Sequence, residues 1–191
     1  HVGNGGSISA VKDGKCIDTT MGLTPLEGLM MGTRSGDIDG GAVTFIMEKE
    51  GLNATGISNL LNKKSGLAGI SCISSDMREV ASAAKEGNKR AQLALDMYFY
   101  RIKKYIGAYA AAMGGVGIIL FTGGVGENQA DCREIACSGL GYMGVKIEHD
   151  VNNATRGEEA IISTADSKVK VVIIPTDEEL MIASDTMALL K

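Results

Sequence analysis

Apolar and polar residues repeat along this chain with two different periods, and the changes of period mark its elements. Ser7-Ile8-Ser9-Ala10-Val11 alternates, Lys12-Asp13-Gly14 supplies turn chemistry, and Lys15-Cys16-Ile17-Asp18 continues, which predicts a β-hairpin. From Met21 to Asp39, glycines at 22, 28, 32 and 36 interrupt every helical period, so an ordered loop with one short helical turn is expected. Helices are predicted over about 40–50 and 56–64, and Asp76 stands where it would N-cap another that runs to about Lys85. Leu93, Met97, Ile102, Tyr105, Ile106 and Tyr109 mark a long helix over about 88–113. Its Tyr98, Phe99 and Tyr100 suit either core or subunit contact.

Two strand-to-helix units follow. Val116-Gly117-Ile118-Ile119-Leu120-Phe121 is an apolar run of strand length; the glycine loop Thr122–Asn128 succeeds it, then a helical stretch to about Ser138. The second unit is Val169–Ile174, then Pro175-Thr176-Asp177-Glu178-Glu179, then a helix to the end of the chain. Strands this apolar are expected in a sheet covered on both faces, with ligands bound beyond the strands' carboxyl ends. The final helix carries Leu180, Met181, Ile182, Met187, Leu189 and Leu190 on more than one face. At the other end, His1–Gly6 is a glycine-rich turn whose feeding strand is absent, so a chain cut at its start is expected.

Composition narrows the function. With 191 residues and 45% hydrophobic content the chain fills one globular domain. A formal charge of -4, no tryptophan and three phenylalanines exclude a basic, aromatic nucleic-acid surface. No run of 18 apolar residues spans a bilayer and no signal peptide is present, so a cytoplasmic protein without membrane contact is expected. Four cysteines without a CxxC pair suggest neither a zinc site nor a disulfide scaffold. Glycine is the informative excess: 26 residues, about double the usual share of roughly 7%.

Amides freed by glycine turns make a concave donor site for phosphate oxygens, and both His1–Gly6 and Gly123–Asn128 qualify. Either is equally readable as a tight structural turn, and neither fits a Walker or Rossmann pattern. Arg34, in Gly32-Thr33-Arg34-Ser35-Gly36-Asp37, suits a phosphoryl clamp or a surface ion pair. Glu178 and Glu179 suit the positive end of a helix dipole or, for one of them, a magnesium ligand. His1 alone reads as a frayed terminus.

The combination and order of five segments carry more. His1–Ile8, Asp18–Asp39, Ser74–Arg78, Thr122–Asn128 and Pro175–Ala183 together resemble the acetate kinase family over essentially the whole chain. The resemblance implies an α/β fold of ribonuclease H-like (actin-like ATPase) type: a mixed sheet with helices on both faces, here lacking its first strand. It implies a nucleotide-binding domain over 1–176 and, over 177–191, a helix that packs on a missing amino-terminal domain. It further implies phosphoryl transfer between ATP and acetate, with the isolated chain inactive, and a homodimer formed through this domain. Propionate or butyrate kinases, and a non-catalytic nucleotide module of the same superfamily, are the alternatives. By the same resemblance His1 and Arg34 are catalytic, while Asn4, Gly5 and Gly6 bind phosphate. Asp76, Met77 and Arg78 line the adenosine pocket, Gly124, Val125, Gly126 and Asn128 close it, and Glu178 supports Mg2+. Gly6 stands where alanine is usual and Gly40 where proline is usual, both without loss of a donor.

Overall fold

The structure is a computed structural model that describes residues 1–190. Strands β1 (Ser9–Lys12) and β2 (Lys15–Thr19) form the expected hairpin. Asp13 and Gly14 at its turn both adopt left-handed backbone, φ 52° and 75°, the conformation that matches the twist of a two-residue hairpin. Residues 20–39 form a loop without regular helix. Helices α1 (Gly40–Glu50), α2 (Ala54–Lys63), α3 (Gly66–Ser71) and α4 (Met77–Lys85) lead to the long α5 (Lys89–Met113). Four of the five helices start on a side-chain cap. Asp39, Asn53, Asp76 and Asn88 accept from Gly41, Gly56, Arg78 and both Arg90 and Ala91 amides, donors that otherwise lack partners in a first turn.

Beyond α5 come β3 (Ile118–Phe121), α6 (Gly123–Asn128), α7 (Ala130–Cys137), a 3-10 turn at Leu140–Met143 and α8 (His149–Ala154). Strands β4 (Ala160–Ile161) and β5 (Lys170–Ile173) and helix α9 (Glu178–Leu189) follow. The main sheet has the order β3-β5-β4, with β3 and β5 parallel and β4 antiparallel. Parallel pairing sets the carboxyl ends of β3 and β5 side by side, so both strand-to-helix junctions open on one rim. The predicted mixed α/β class is therefore present.

Two expectations need correction. Helices do not cover both faces: Ile119, Phe121, Val171 and Ile173 are buried with Tyr98 and Ile102 of α5 and Cys132 and Ala136 of α7. On the opposite face Ile118 and Leu120 are 62% and 46% exposed, with Ile161 beside them. The apolar run told correctly that both faces are apolar, but no element among the described residues lies over the second one. Helix α9 leaves β5 with every residue exposed, including Leu180, Met181, Ile182 and Met187; Lys191, the end of the expected helix, lies outside the described residues.

Along α5 the inward stripe is also not the one its largest residues suggest. Leu93 and Met97 face solvent, whereas Ala91, Ala94, Tyr98, Phe99, Ile102, Ile106 and Tyr109 are buried. Tyr98 and Phe99 meet edge to face with centroids 5.6 Å apart in the core, and Tyr100 points out. Small alanines let α3 and α4 approach α5 closely, a need that hydrophobic spacing does not register. Among the described residues no helix is long and apolar enough to cross a membrane.

Candidate functional site

The rim of the sheet gathers the glycine segments. Val2 donates to the Thr122 carbonyl at 2.8 Å, so the first turn is fastened to the end of β3. Within the turn, Gly3 donates to the Gly5 carbonyl at 2.9 Å and Ser7 to the His1 carbonyl at 3.0 Å. The amides of Asn4, Gly5 and Gly6 donate to no acceptor among the described residues. Three consecutive N–H groups without an acceptor in a tight turn are the donor pattern that anion-binding turns use. Space is tight at Gly3, where a β-carbon would lie 3.2 Å from the Gly5 carbonyl oxygen, while one on Gly5 would lie 3.4 Å from Arg34 Nη1, an ordinary contact.

That last distance brings Arg34 to the turn. Among the described residues its half-buried guanidinium has two polar contacts, the Pro25 carbonyl at 3.4 Å and the Met31 sulfur at 3.6 Å. Among the described residues it pairs with no carboxylate, so its charge remains available to a ligand. Helix α3 supports the loop from below: Leu67 and Ala68 donate to the Met31 and Gly32 carbonyls, each at 2.9 Å. Gly66, at φ 62°, has no room for a side chain against the Met31 oxygen. Gly32 donates to the Asn4 carbonyl at 2.9 Å, and a β-carbon there would overlap the Asn4 side chain. The Arg34 loop and the first turn are thus fitted to each other.

Next to this pair lies a cavity of about 660 Å³. Asn4, Asp76, Met77, Arg78, Gly124, Val125 and Asn128 all line it, together with Gly3, Leu67, Ser75 and Gln129. Asp76 both caps α4 and pairs with Arg78, Oδ2 to Nη2 at 2.6 Å. The Arg78 hydrogen bond holds the Asp76 carboxyl down at about 2, well below the usual carboxylate range. His1, exposed, stands outside the cavity lining; its Nε2 would lie 3.0 Å from a β-carbon on Gly123. Gly126 is buried and shapes the rim without lining the cavity.

The second glycine segment differs from the expected open loop. It is the helical turn α6, and its donors are largely spent: Val125 and Gly126 donate to the Val2 carbonyl at 2.9 and 3.0 Å, and Gly123 donates to Glu127 Oε1 at 2.7 Å. This segment therefore contributes walls more than amides. Two side chains hold it. Glu127 Oε1 also accepts from the Thr176 amide at 3.0 Å and the Thr122 hydroxyl at 3.2 Å, tying both strand-to-helix junctions together. Arg133, fully buried, donates to the Gly126 and Glu127 carbonyls and, on its other side, to Asn152 and Thr155. Glu127 lies inside the Thr122–Asn128 segment but its holding role left no mark there, and Arg133 lies outside every segment singled out in the sequence.

Glu178 begins α9, exposed and outside the cavity lining. Its neighbour Asp177 is used as the cap of α9, accepting from Leu180 at 2.9 Å. No group of three His, Cys, Asp or Glu capable of holding a metal occurs among the described residues. Glu178 and Glu179, exposed carboxylates at the start of α9, do not make an all-protein metal site, but suit Mg2+, which keeps waters and binds through one or two carboxylates plus substrate phosphates.

Unclaimed amides, an unpaired guanidinium and an adjoining cavity thus meet at the carboxyl rim of a partly parallel sheet in a mixed α/β domain. Comparison with known proteins makes this more particular: the chain belongs to the acetokinase family, whose model matches residues 1–184. It is 78% identical over 191 residues to an acetate kinase from Bacteroides thetaiotaomicron, covering 100% of this chain and 48% of that protein. The crystal structure of Porphyromonas gingivalis acetate kinase superposes with a TM-score of 0.96 at 61% identity, over 100% of this chain and 48% of that one. A propionate kinase from Francisella tularensis matches at 0.88 and 45%, over 96% of this chain and 46% of that one. The chain spans about half the length of the relatives it matches.

Proposed function

We propose that this chain is the nucleotide-binding half of an acetate kinase, contributing to reversible phosphoryl transfer between ATP and acetate. The observation that carries the reading is the run of unclaimed amides at Asn4, Gly5 and Gly6, with Arg34 Nη1 only 3.4 Å from where a Gly5 β-carbon would lie. Phosphoryl transfer spreads negative charge over three equatorial oxygens, and a protein accelerates it chiefly by positioning and by fixed donors. The turn amides would hold the terminal phosphates, Arg34 would stabilise the charge that develops on the transferred group, and His1 would flank it. Adenosine would occupy the cavity between Met77 and Val125, with Arg78 and Asn128 at its edge. Bound through the phosphates, Mg2+ would neutralise charge, with Glu178 as its protein ligand directly or through water. Helix α9 and the open sheet face would pack against the other half of the enzyme.

The 78% identity to an acetate kinase supports acetate as the acid. Titration calorimetry of the chain with MgATP and MgADP tests the proposal. Binding of both, weakened by Arg34→Ala for MgATP, is the expected result, with no acetyl phosphate formed. Absence of nucleotide binding at millimolar concentration, or acetate-dependent ATP consumption by this chain alone, would overturn it.

A further inference from the structure

We infer that Asp37 is a positioning residue that sets Arg34 against the terminal phosphate, an inference resting on the nucleotide reading above. The Arg34 side chain has no strong anchor of its own: among the described residues its polar contacts are a carbonyl at 3.4 Å and a thioether at 3.6 Å. Its position must therefore be set by the backbone that carries it. That backbone is closed at its stem by Asp37, whose N–H donates to the Gly28 carbonyl at 3.0 Å and whose Oδ1 accepts from the Gly28 amide at 2.9 Å.

The other carboxylate oxygen fastens the stem to α5. Asp37 Oδ2 accepts from Arg101 Nη1 at 3.0 Å and from the Tyr105 hydroxyl at 2.7 Å, and the Asp37 carbonyl accepts from Arg101 Nη2 at 3.2 Å. Burial and the bond to Asp37 together push the Tyr105 phenol upward, so it stays a donor. Charge gives the arrangement a second consequence. Asp37 lies three residues from Arg34, yet its carboxylate is taken up by Arg101, so the nearest acid on the loop does not neutralise the arginine that faces the turn. Arg101 balances Asp37, and Arg34 remains free for an anion.

A defect in this stem should be felt where Arg34 acts, at the terminal phosphate, and not across the nucleotide as a whole. Calorimetry of the chain with MgATP and MgADP, for wild type, Asp37→Asn and Tyr105→Phe, reads this directly. Asp37→Asn is expected to lower ATP affinity about tenfold, the effect of one lost charge-assisted contact, with ADP affinity changed less than about twofold. Tyr105→Phe, a gentler change that leaves the Asp37–Arg101 pair, should shift the same ratio less. Amide exchange across 29–36 should accelerate in Asp37→Asn while that of 89–113 stays unchanged. Equal losses for ATP and ADP would mark a merely structural role and overturn the inference. So would a variant that keeps the wild-type preference and slow exchange. A wild-type chain without nucleotide affinity would instead overturn the reading beneath it, and the inference with it.

Discussion

Replacing Glu127 tests how the rim is held together. One oxygen of this carboxylate accepts from the Gly123 amide at 2.7 Å, the Thr176 amide at 3.0 Å and the Thr122 hydroxyl at 3.2 Å. The two threonine hydroxyls also contact each other across the junction. Hydrogen bonds to a charged acceptor contribute about 1.5–3 kcal/mol each when shielded. Glu127 is only partly buried and Thr176 is exposed, so water replaces part of what an alanine removes. Counting the short Gly123 bond in full and the other two at a fraction, Glu127→Ala should destabilise by about 3 kcal/mol, or roughly 6–12 °C in Tm for a chain of this size. Glu127→Gln keeps an acceptor in place without its charge, at about half the strength, and should fall near the midpoint. Differential scanning calorimetry gives the order directly, and MgADP affinity should follow it, because Gly124 and Val125 line the cavity. Glutamine and alanine variants of equal Tm, or an alanine variant within about 2 °C of wild type, would refute the argument that this acceptor organises the two junctions.

Two further outcomes follow from local geometry. The Arg78 bond depresses the Asp76 carboxyl to about 2 in the folded chain, so its contribution is present above the unfolded value of about 4 and is lost as pH falls from there toward 2. Asp76→Asn, which still caps α4, should therefore show a smaller drop in Tm between pH 5 and pH 2.5 than wild type; an identical drop would contradict the assignment. Gly40 opens α1, its amide has no acceptor among the described residues, the space around it is open, and Asp39 already has the extended backbone (φ -64°, ψ 126°) that a following proline requires. Gly40→Pro should raise stability by about 0.5–1 kcal/mol, near 1–4 °C, and a lowered Tm would show that α1 does not start there.

What the sequence disclosed depended on how far each element is decided locally. The hairpin turn, the Asp76 cap and the strand of Ile118–Phe121 carry their own chemistry and were legible. Helix α3 was not: Gly66-Leu67-Ala68-Gly69 looks like a breaker, yet Gly66 is there to admit the Met31 carbonyl, and the six-residue helix forms because Leu67 and Ala68 find acceptors in the Arg34 loop. Helix α8 is polar and short, with only Asn152 buried, so it left no period to detect. The segments that converge on the cavity could be named, and two of them contain Glu127 and Asp37, but the holding roles of Glu127, Arg133 and Asp37 could not be read. Each of them bonds to backbone or to residues distant in sequence, and such bonds have no signature of spacing.

The turn α6 shows how those silent residues make the audible ones work. Six residues with three glycines do not hold a helix by themselves, because nucleation is costly and glycine raises the entropy to be lost. Here the amino end is held by the Val2 carbonyl and the Glu127 carboxylate, and the carboxyl end by Arg133, whose guanidinium donates to Gly126 and Glu127 at 2.9 and 3.0 Å. Arg133 is fully buried with no acidic partner among its hydrogen bonds; all its acceptors are carbonyls or the Asn152 amide oxygen, at the ends of α6 and α8 where helix dipoles are negative. On the nucleotide reading proposed above, ligand attraction is local in the same way. A net charge of -4 repels an anion at long range, and screening limits exposed charges to about 8 Å at physiological salt. On that reading, donors placed within contact distance do the binding. The amides of Asn4, Gly5 and Gly6, with a guanidinium left unpaired beside them, are the donors that the fold keeps free.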